Sequence, residues 1–288
     1  MKKGIEEKVI KKSTGVPILI REDIEYLDKG HSVFLAYHQE VEIHIIKEGK
    51  GFYLIQNKKY IFDKNTAIII YPDQQHLHNI YPPYSIKKIS LYFNPGILKK
   101  INFDINSLPH LIKIPGKNIA KIQLVVDLMK NEISEKKKFC EDTTYSLLNF
   151  ILNLLKRWKY EKEIPYKQAD PLIDKLIEYL NENYYKDIDI LHLSKIFYKS
   201  ESYLSHIFKK FTGIGIKEYI IQKRILESKK ILENQNDIKI TKVGEKVGFS
   251  SFPLFYRAFK KITGISPSSY RDIFLKAENN IKTAENII

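Results

Sequence analysis

The sequence predicts an α+β protein of two domains: a β-barrel or sandwich carrying two amphipathic helices, then an all-α domain. Three observations predict it. Short apolar runs broken by turn signals fill about 18–93, apolar residues recur at helical spacing from 119 onward, and a motif is repeated near the C-terminus. A length of 288 residues fits two domains of roughly 100–200 residues each.

The strands come first. "SVFLAYHQEVEIHII" (32–46) alternates, with His38, Glu40, Glu42 and His44 on one parity and Val41, Ile43 and Ile45 on the other. "KEGKG" (47–51) reads as a turn, "FYLIQ", "NKK" and "YIFD" as a hairpin, and "TAIIIYP" as a strand stopped by proline.

The period then changes. "IAKIQLVVDLMKNEI" is apolar at 119, 122, 125, 126, 129 and 133, which is helical spacing. "YSLLNFILNLLKRW" (145–158) predicts a second helix, and the polar run "SEKKKFCEDT" separates the two. The charged "KYEKEIPYKQADP", with two prolines, reads as a linker. The resulting division is 1–160, a linker at 161–171, an all-helical 172–276, and a polar tail at 277–288.

Composition excludes more than it identifies. Lys and Arg number 48 against 34 Asp and Glu, but the excess is mostly Lys and fits an AT-rich genome as well as a nucleic-acid partner. Cys140 is the only cysteine, so an intrachain disulfide or Cys-based zinc site is impossible, which fits a reducing cytoplasm. A redox-sensing role for it is the lesser alternative to an incidental one. No apolar run reaches the roughly 18 residues that suggest a membrane span, and the charged start does not read as a secretory signal.

The repeat is the most informative feature. "FKKFTGIGIKEY" (208–219) matches "FKKITGISPSSY" (259–270) in Phe, both lysines, Thr-Gly, Ile and Tyr. Upstream of each copy lies a helix, a tight turn and another helix. In the first unit, "ILHLSKIF" (190–197) leads to Ser200, a natural N-cap, and the stripe Leu204, Ile207, Phe208 and Phe211 must face a core. Ser202, Ser205, His206 and Lys209 then face outward. In the second, "ITKVGEKVGF" (240–249) leads to a stripe of Phe255, Ala258, Phe259 and Ile262, leaving Phe252, Tyr256, Arg257 and Lys260 outward. Pro253 falls in a first turn, Gly244 and Ser194 are small where helices must cross closely, and Gly248 suits a turn needing positive φ. Hydroxyl, imidazole and guanidinium groups at helix starts suit base edges in a major groove, and lysines suit phosphates. A helical bundle whose polar faces are merely solvated fits the same pattern.

These residues resemble the AraC/XylS family of transcription regulators. The likeness covers about a hundred residues, most of Leu191–Arg271, including "YIIQKRILESKKIL" (219–232) with Arg224 and the small Ser228, "VGF" (247–249) and "TGISPSSYR" (263–271). It implies two helix-turn-helix units joined by a rigid helix at about 216–233, with their recognition helices in successive major grooves roughly 34 Å apart. By the same resemblance, base contacts fall on Ser202, Ser205, His206, Phe252, Tyr256 and Arg257. Phosphate contacts fall on Ser200, Lys209, Lys210, Ser251, Lys260 and Lys261. The family often has polar residues where Phe252 and Pro253 stand, which suggests apolar contact with thymine methyls there.

The N-terminal half resembles the family's cupin-like sensor barrel through His38, Glu42, Gly49, Gly51, Pro72 and His76. Metal-binding cupins carry H-x-H-x3-E-x6-G and a later His; Ala36 stands at the first of these positions, leaving three possible ligands. Such ligands would suit a divalent metal. The preferred expectation is that His38, Glu42 and His76 line an effector pocket by hydrogen bonding, without metal or cofactor, and that His44 and His78 are pocket or surface groups.

The expected protein is a DNA-binding transcription regulator gated by a small molecule, a homodimer, and not an enzyme. The helices at 119–133 and 145–158 carry more apolar surface than a barrel edge covers, which places Leu148, Ile151 and Leu155 in or beneath a dimer interface. Burial in the chain's own core is the alternative. Activation is the commoner behaviour in such families, RNA polymerase is a possible partner, and no membrane is expected. A regulator whose N-terminal domain only dimerises is the runner-up. A metal-dependent cupin enzyme fused to DNA-binding helices is the reading from another class.

Overall fold

A computed structural model describes residues 16–26, 35–83, 85–159, 171–235, 237–273 and 275. They fall into two compact units, those up to 159 in one and those from 171 in the other. The expected linker, apart from Pro171, and the polar tail lie outside the described residues.

The N-terminal unit contains β1 (Ile18–Tyr26), β2 (Val41–Glu48), β3 (Gly51–Ile55), β4 (Lys58–Phe62), β5 (Thr66–Ile70), β6 (His76–Ile80), β7 (Ser85–Phe93) and β8 (Leu111–Lys113). The expected barrel takes the form of two open antiparallel sheets, ordered β1-β7-β2-β5-β8 and β4-β3-β6. Gln56 and Asn57 both have positive φ and make the two-residue turn between β3 and β4, the backbone geometry that matches strand twist. Helices α1 (Gly96–Lys100), α2 (Ile119–Glu135) and α3 (Cys140–Trp158) follow.

The larger sheet is covered on both faces. Val41, Ile43, Ile45, Ile89, Leu91 and Phe93 share one core with α2 and α3. Ile46, Ile68, Ile70 and Ile86 share another with Tyr53, Ile55 and Ile80 of the smaller sheet. Glu22 on β1 fixes α2 by accepting from Gln123 at 3.2 Å and by an ion pair with Lys130.

Two expected boundaries move. β2 begins at Val41, after a bend at Gln39 and Glu40. Helix α3 begins at Cys140, five residues before the expected Tyr145, because Glu141 and Asp142 supply negative charge to its first turn.

The dimer assignment also changes. Leu148, Ile151 and Leu155 are fully buried in the core shared with the larger sheet. The apolar residues of these helices that reach the surface are Leu124, Leu128 and Phe150, at 61%, 46% and 46% exposure. The sheet has a second apolar face, and that face takes up the leucines.

The C-terminal unit contains α4 (Pro171–Asn183), α5 (Ile190–Phe197), α6 (Glu201–Thr212), α7 (Ile216–Asn234), α8 (Ile240–Lys246) and α9 (Phe252–Thr263), then a helix at 267–273. Pro171 opens α4 rather than ending the linker, since a first-turn proline loses no helical hydrogen bond. Val243, Val247, Phe255, Phe259 and Tyr270 close a core against Ile225 and Leu232 of α7. In both helix-turn-helix units the central stripe residues, Leu204 and Phe208 in one and Phe255 and Phe259 in the other, are buried.

Candidate nucleic-acid interface and buried polar cluster

The repeated motif turns out to be a helix-ending device. Thr212 Oγ1 donates to the Phe208 carbonyl at 2.9 Å and accepts from the Ile214 N–H at 3.3 Å; Thr263 makes the matching pair with Phe259 and Ile265 at 2.8 and 3.4 Å. Gly213 and Gly264 end α6 and α9 at φ of 86° and 82°, where a side chain would be strained. Tyr219 and Tyr270 meet Phe208 and Phe259 edge-on, with ring centroids 5.4 and 5.5 Å apart. The shared Phe, Thr-Gly, Ile and Tyr therefore build the two units, while the shared lysines stay exposed and the outward residues nearer each helix start differ between them.

All twelve candidate DNA-contacting residues are exposed. Ser202, Ser205 and His206 stand on α6, and Phe252, Tyr256 and Arg257 on α9. Lys209, Lys210, Lys260 and Lys261 occupy the last turns of the same helices. Ser200 caps α6 by accepting from the Tyr203 N–H at 3.3 Å, which leaves its hydroxyl proton to donate. Ser251 precedes α9 without such a cap. Tyr203 and Leu254, 44% and 45% exposed, stand beside these residues and were not singled out in the sequence.

The turns are fixed by close backbone approach. Gly248 has φ of 93°, and a Cβ there would lie 2.3 Å from the Tyr185 carbonyl oxygen. Arg224, on α7, donates from Nε to the Tyr184 carbonyl at 2.7 Å and from its guanidinium to the Lys186 carbonyl at 2.8 Å. It thus ties α7 to the chain leaving α4, and its role is structural.

In the N-terminal unit the alternation of β2 puts polar groups inside. Glu42 pairs with Tyr92, His44 with Ser90 and Ile46 with Lys88, so these side chains share the face turned to the smaller sheet. From the other side come Tyr53 and His78, paired across β3 and β6, and His76 opposite Ile55.

Glu42 lies at the centre, 5% exposed. Its Oε1 is 2.5 Å from His44 Nε2, and its Oε2 is 2.8 Å from His38 Nε2 and 3.2 Å from His76 Nε2. Burial pushes the Glu42 carboxyl up, but the three imidazoles outweigh it and hold it well below the usual carboxylate range. Burial, opposed by Glu42, drives His44 down to about 3, so its ring is neutral, donating to Glu42 while Nδ1 accepts from the Ser90 hydroxyl at 2.9 Å. The structure thus brings together the three expected pocket residues, with His44 as a fourth. His78 instead joins Glu25 at 2.9 Å, beside the buried Lys88, also 2.9 Å from Glu25. The Tyr53 hydroxyl is buried with no hydrogen-bond partner among the described residues. Burial, then the charges of Glu42 and Glu25, raise its pKa.

Comparison with known proteins agrees with both halves. Residues 193–273 match the model of a helix-turn-helix domain, and residues 23–136 that of an AraC-like ligand binding domain. The Msm operon regulatory protein of Streptococcus mutans is 35% identical over 86% of this chain and 89% of its own length. The uncharacterized HTH-type transcriptional regulator YdiP of Escherichia coli is 28% identical over 86% of this chain and 82% of its own. The HTH-type transcriptional activator RhaR of Escherichia coli is 24% identical over 82% of this chain and 86% of its own. With both domains matched and the 35% identical Streptococcus mutans relative aligned along 89% of its length, the chain belongs to the AraC/XylS family of transcription regulators.

Proposed function

We propose that this regulator reads double-stranded DNA through α6 and α9, with the twelve residues named above dividing the work as the sequence suggests. The observation that carries this is the common exposure of hydroxyl, imidazole, guanidinium and ammonium groups on two equivalent helices of one compact unit. Ser202, Ser205, His206, Phe252, Tyr256 and Arg257 face bases, and Ser200, Ser251 and the four lysines hold phosphates. Residues 172–276 act as the DNA-binding domain, 1–160 as the sensing and pairing domain, and 161–171 as their linker.

The polar interior of the N-terminal unit takes a small polar effector, with His38, Glu42 and His76 among its contacts. An effector must bind one conformational state better than another to act. Two chains pair through α2 and α3, and Leu124, Leu128 and Phe150 replace the buried leucines as the contact residues. The protein works in the cytoplasm, catalyses no reaction and has RNA polymerase as a partner; it activates transcription, as the name of the transcriptional activator RhaR says of that relative. Among the described residues no helix is long and apolar enough to cross a membrane.

The deciding experiment is selection of bound duplexes from a random library, with and without candidate effectors, followed by footprinting. Two protected segments one helical turn apart are expected. Binding without sequence preference would overturn the reading.

A further inference from the structure

The hydrogen bonds around Glu42 constrain where protons can sit. His38 Nδ1 lies 3.1 Å from the Glu40 carbonyl oxygen, and His76 Nδ1 lies 2.9 Å from that of Gln74. A carbonyl oxygen only accepts, so each Nδ1 carries a hydrogen. In the neutral ring, each Nε2 then presents a lone pair, and both Nε2 atoms converge on Glu42 Oε2 at 2.8 and 3.2 Å. Three lone-pair donors facing one another need a positive centre between them.

Protons on both Nε2 atoms, which would make both rings imidazolium beside the Glu42 carboxylate, are one such centre. One cation supplies it at once. Ligand atoms about 2.1 Å from an ion and at right angles around it lie about 3.0 Å apart, and the tetrahedral figure is about 3.4 Å. The two measured separations bracket the first value, and all three ligand atoms lie within 4.8 Å of one another.

We propose that His38, Glu42 and His76 bind one divalent transition-metal ion through Nε2, Oε2 and Nε2. Two imidazoles and one carboxylate select a borderline ion of the manganese-to-zinc series over calcium or magnesium. The supporting contacts are built as such sites require: both ligand rings donate their other nitrogen to a backbone carbonyl, and His44, itself held by Ser90, occupies Glu42 Oε1 and leaves Oε2 for the ion. Ala36, whose backbone pairs with His76, offers no ligand, so coordination positions remain for water or an oxygen-donor molecule. The sequence favoured simple hydrogen bonding here; the direction of the Nδ1 bonds reverses that preference. The inference deepens the effector reading by placing an ion between the cluster and any molecule entering the unit.

The full chain, stripped with chelator and dialysed, is titrated with Zn²⁺ alone and, separately, with Co²⁺ followed by visible absorption. One ion per chain is expected, with a cobalt spectrum of mixed nitrogen and oxygen ligation and a raised Tm. Glu42→Gln and His76→Gln should each weaken binding by about 100-fold, and Ser90→Ala by about 10-fold through loss of support. His192→Gln, in the other unit, should leave stoichiometry unchanged. If circular dichroism shows that either ligand variant has unfolded, His38→Gln, at the more exposed ligand, carries the test. No ion bound at tens of micromolar, or an ion retained equally by the ligand variants, overturns the proposal. In that event DNA selection and effector response would be unaffected, so failure of the metal site is distinguishable from failure of the regulator reading.

Discussion

Gly244 and Phe255 meet where α8 and α9 pack: a Cβ on Gly244 would lie 2.9 Å from the phenyl ring. Phe255 is fully buried and cannot retreat without opening the second unit's core. Gly244→Leu should therefore destabilise the C-terminal unit by about 1–3 kcal/mol, the usual range for forcing volume into a packed core. Thermal unfolding of the full chain and of a C-terminal fragment measures it. An unchanged melting temperature would mean that the helices can separate at little cost.

Arg257 and Lys260 lie on the exposed side of α9 but should fail differently. Arg257→Ala should cost on the order of 1–3 kcal/mol on the selected site and relax preference at one or two base pairs. Lys260→Ala should weaken all sequences alike and lower the salt slope by about one. Affinity measured on cognate and scrambled duplexes at several salt concentrations separates them. Equal losses on both duplexes for Arg257→Ala would place the reading face elsewhere.

A fragment beginning near Asp170 should fold and bind DNA alone, more weakly than the whole chain. Its helices close cores of their own, and Arg224 ties α7 to the chain after α4 without help from the N-terminal unit. Circular dichroism and gel-shift titration check it, and an unfolded fragment would mean that the domain boundary is misplaced.

Removing Arg224 should be felt in folding rather than in reading. Arg224→Met leaves the Tyr184 and Lys186 carbonyls without their charged donor, at a cost of about 2–3 kcal/mol. Base preference, scored by library selection on the surviving folded protein, should stay the same. A shift in preference would assign Arg224 a part in recognition.

The helices α2 and α3 make opposite predictions for their two faces. Leu124→Asp and Phe150→Asp should yield folded monomers, because both side chains are exposed. Leu148→Asp and Leu155→Asp should unfold the N-terminal unit, because a charge would enter a core without a partner. Sedimentation and circular dichroism on each variant resolve the cases. A wild-type chain monomeric at tens of micromolar, with and without DNA, would end the pairing proposal.

The sequence by itself determined the helix-turn-helix units nearly to the residue. Their signals are local: Ser200 caps α6, the repeated Thr-Gly stands where α6 and α9 end, and the Leu204–Phe208 and Phe255–Phe259 stripes depend only on helical spacing. The alternation of β2 was legible too, but not which side of it faced inward. That depended on long-range pairing. Both faces of the larger sheet are covered, one by α2 and α3 and the other by the smaller sheet, so Glu42 and His44 are as buried as Val41 and Ile43. Only the tertiary structure could place Leu148 in a core rather than at a surface, or gather Lys88 and Ser90 of β7, Tyr53 of β3 and Glu25 of β1 around the histidines. Periodicity records that a residue has a covered side; what covers it is decided by contacts between residues far apart in the chain.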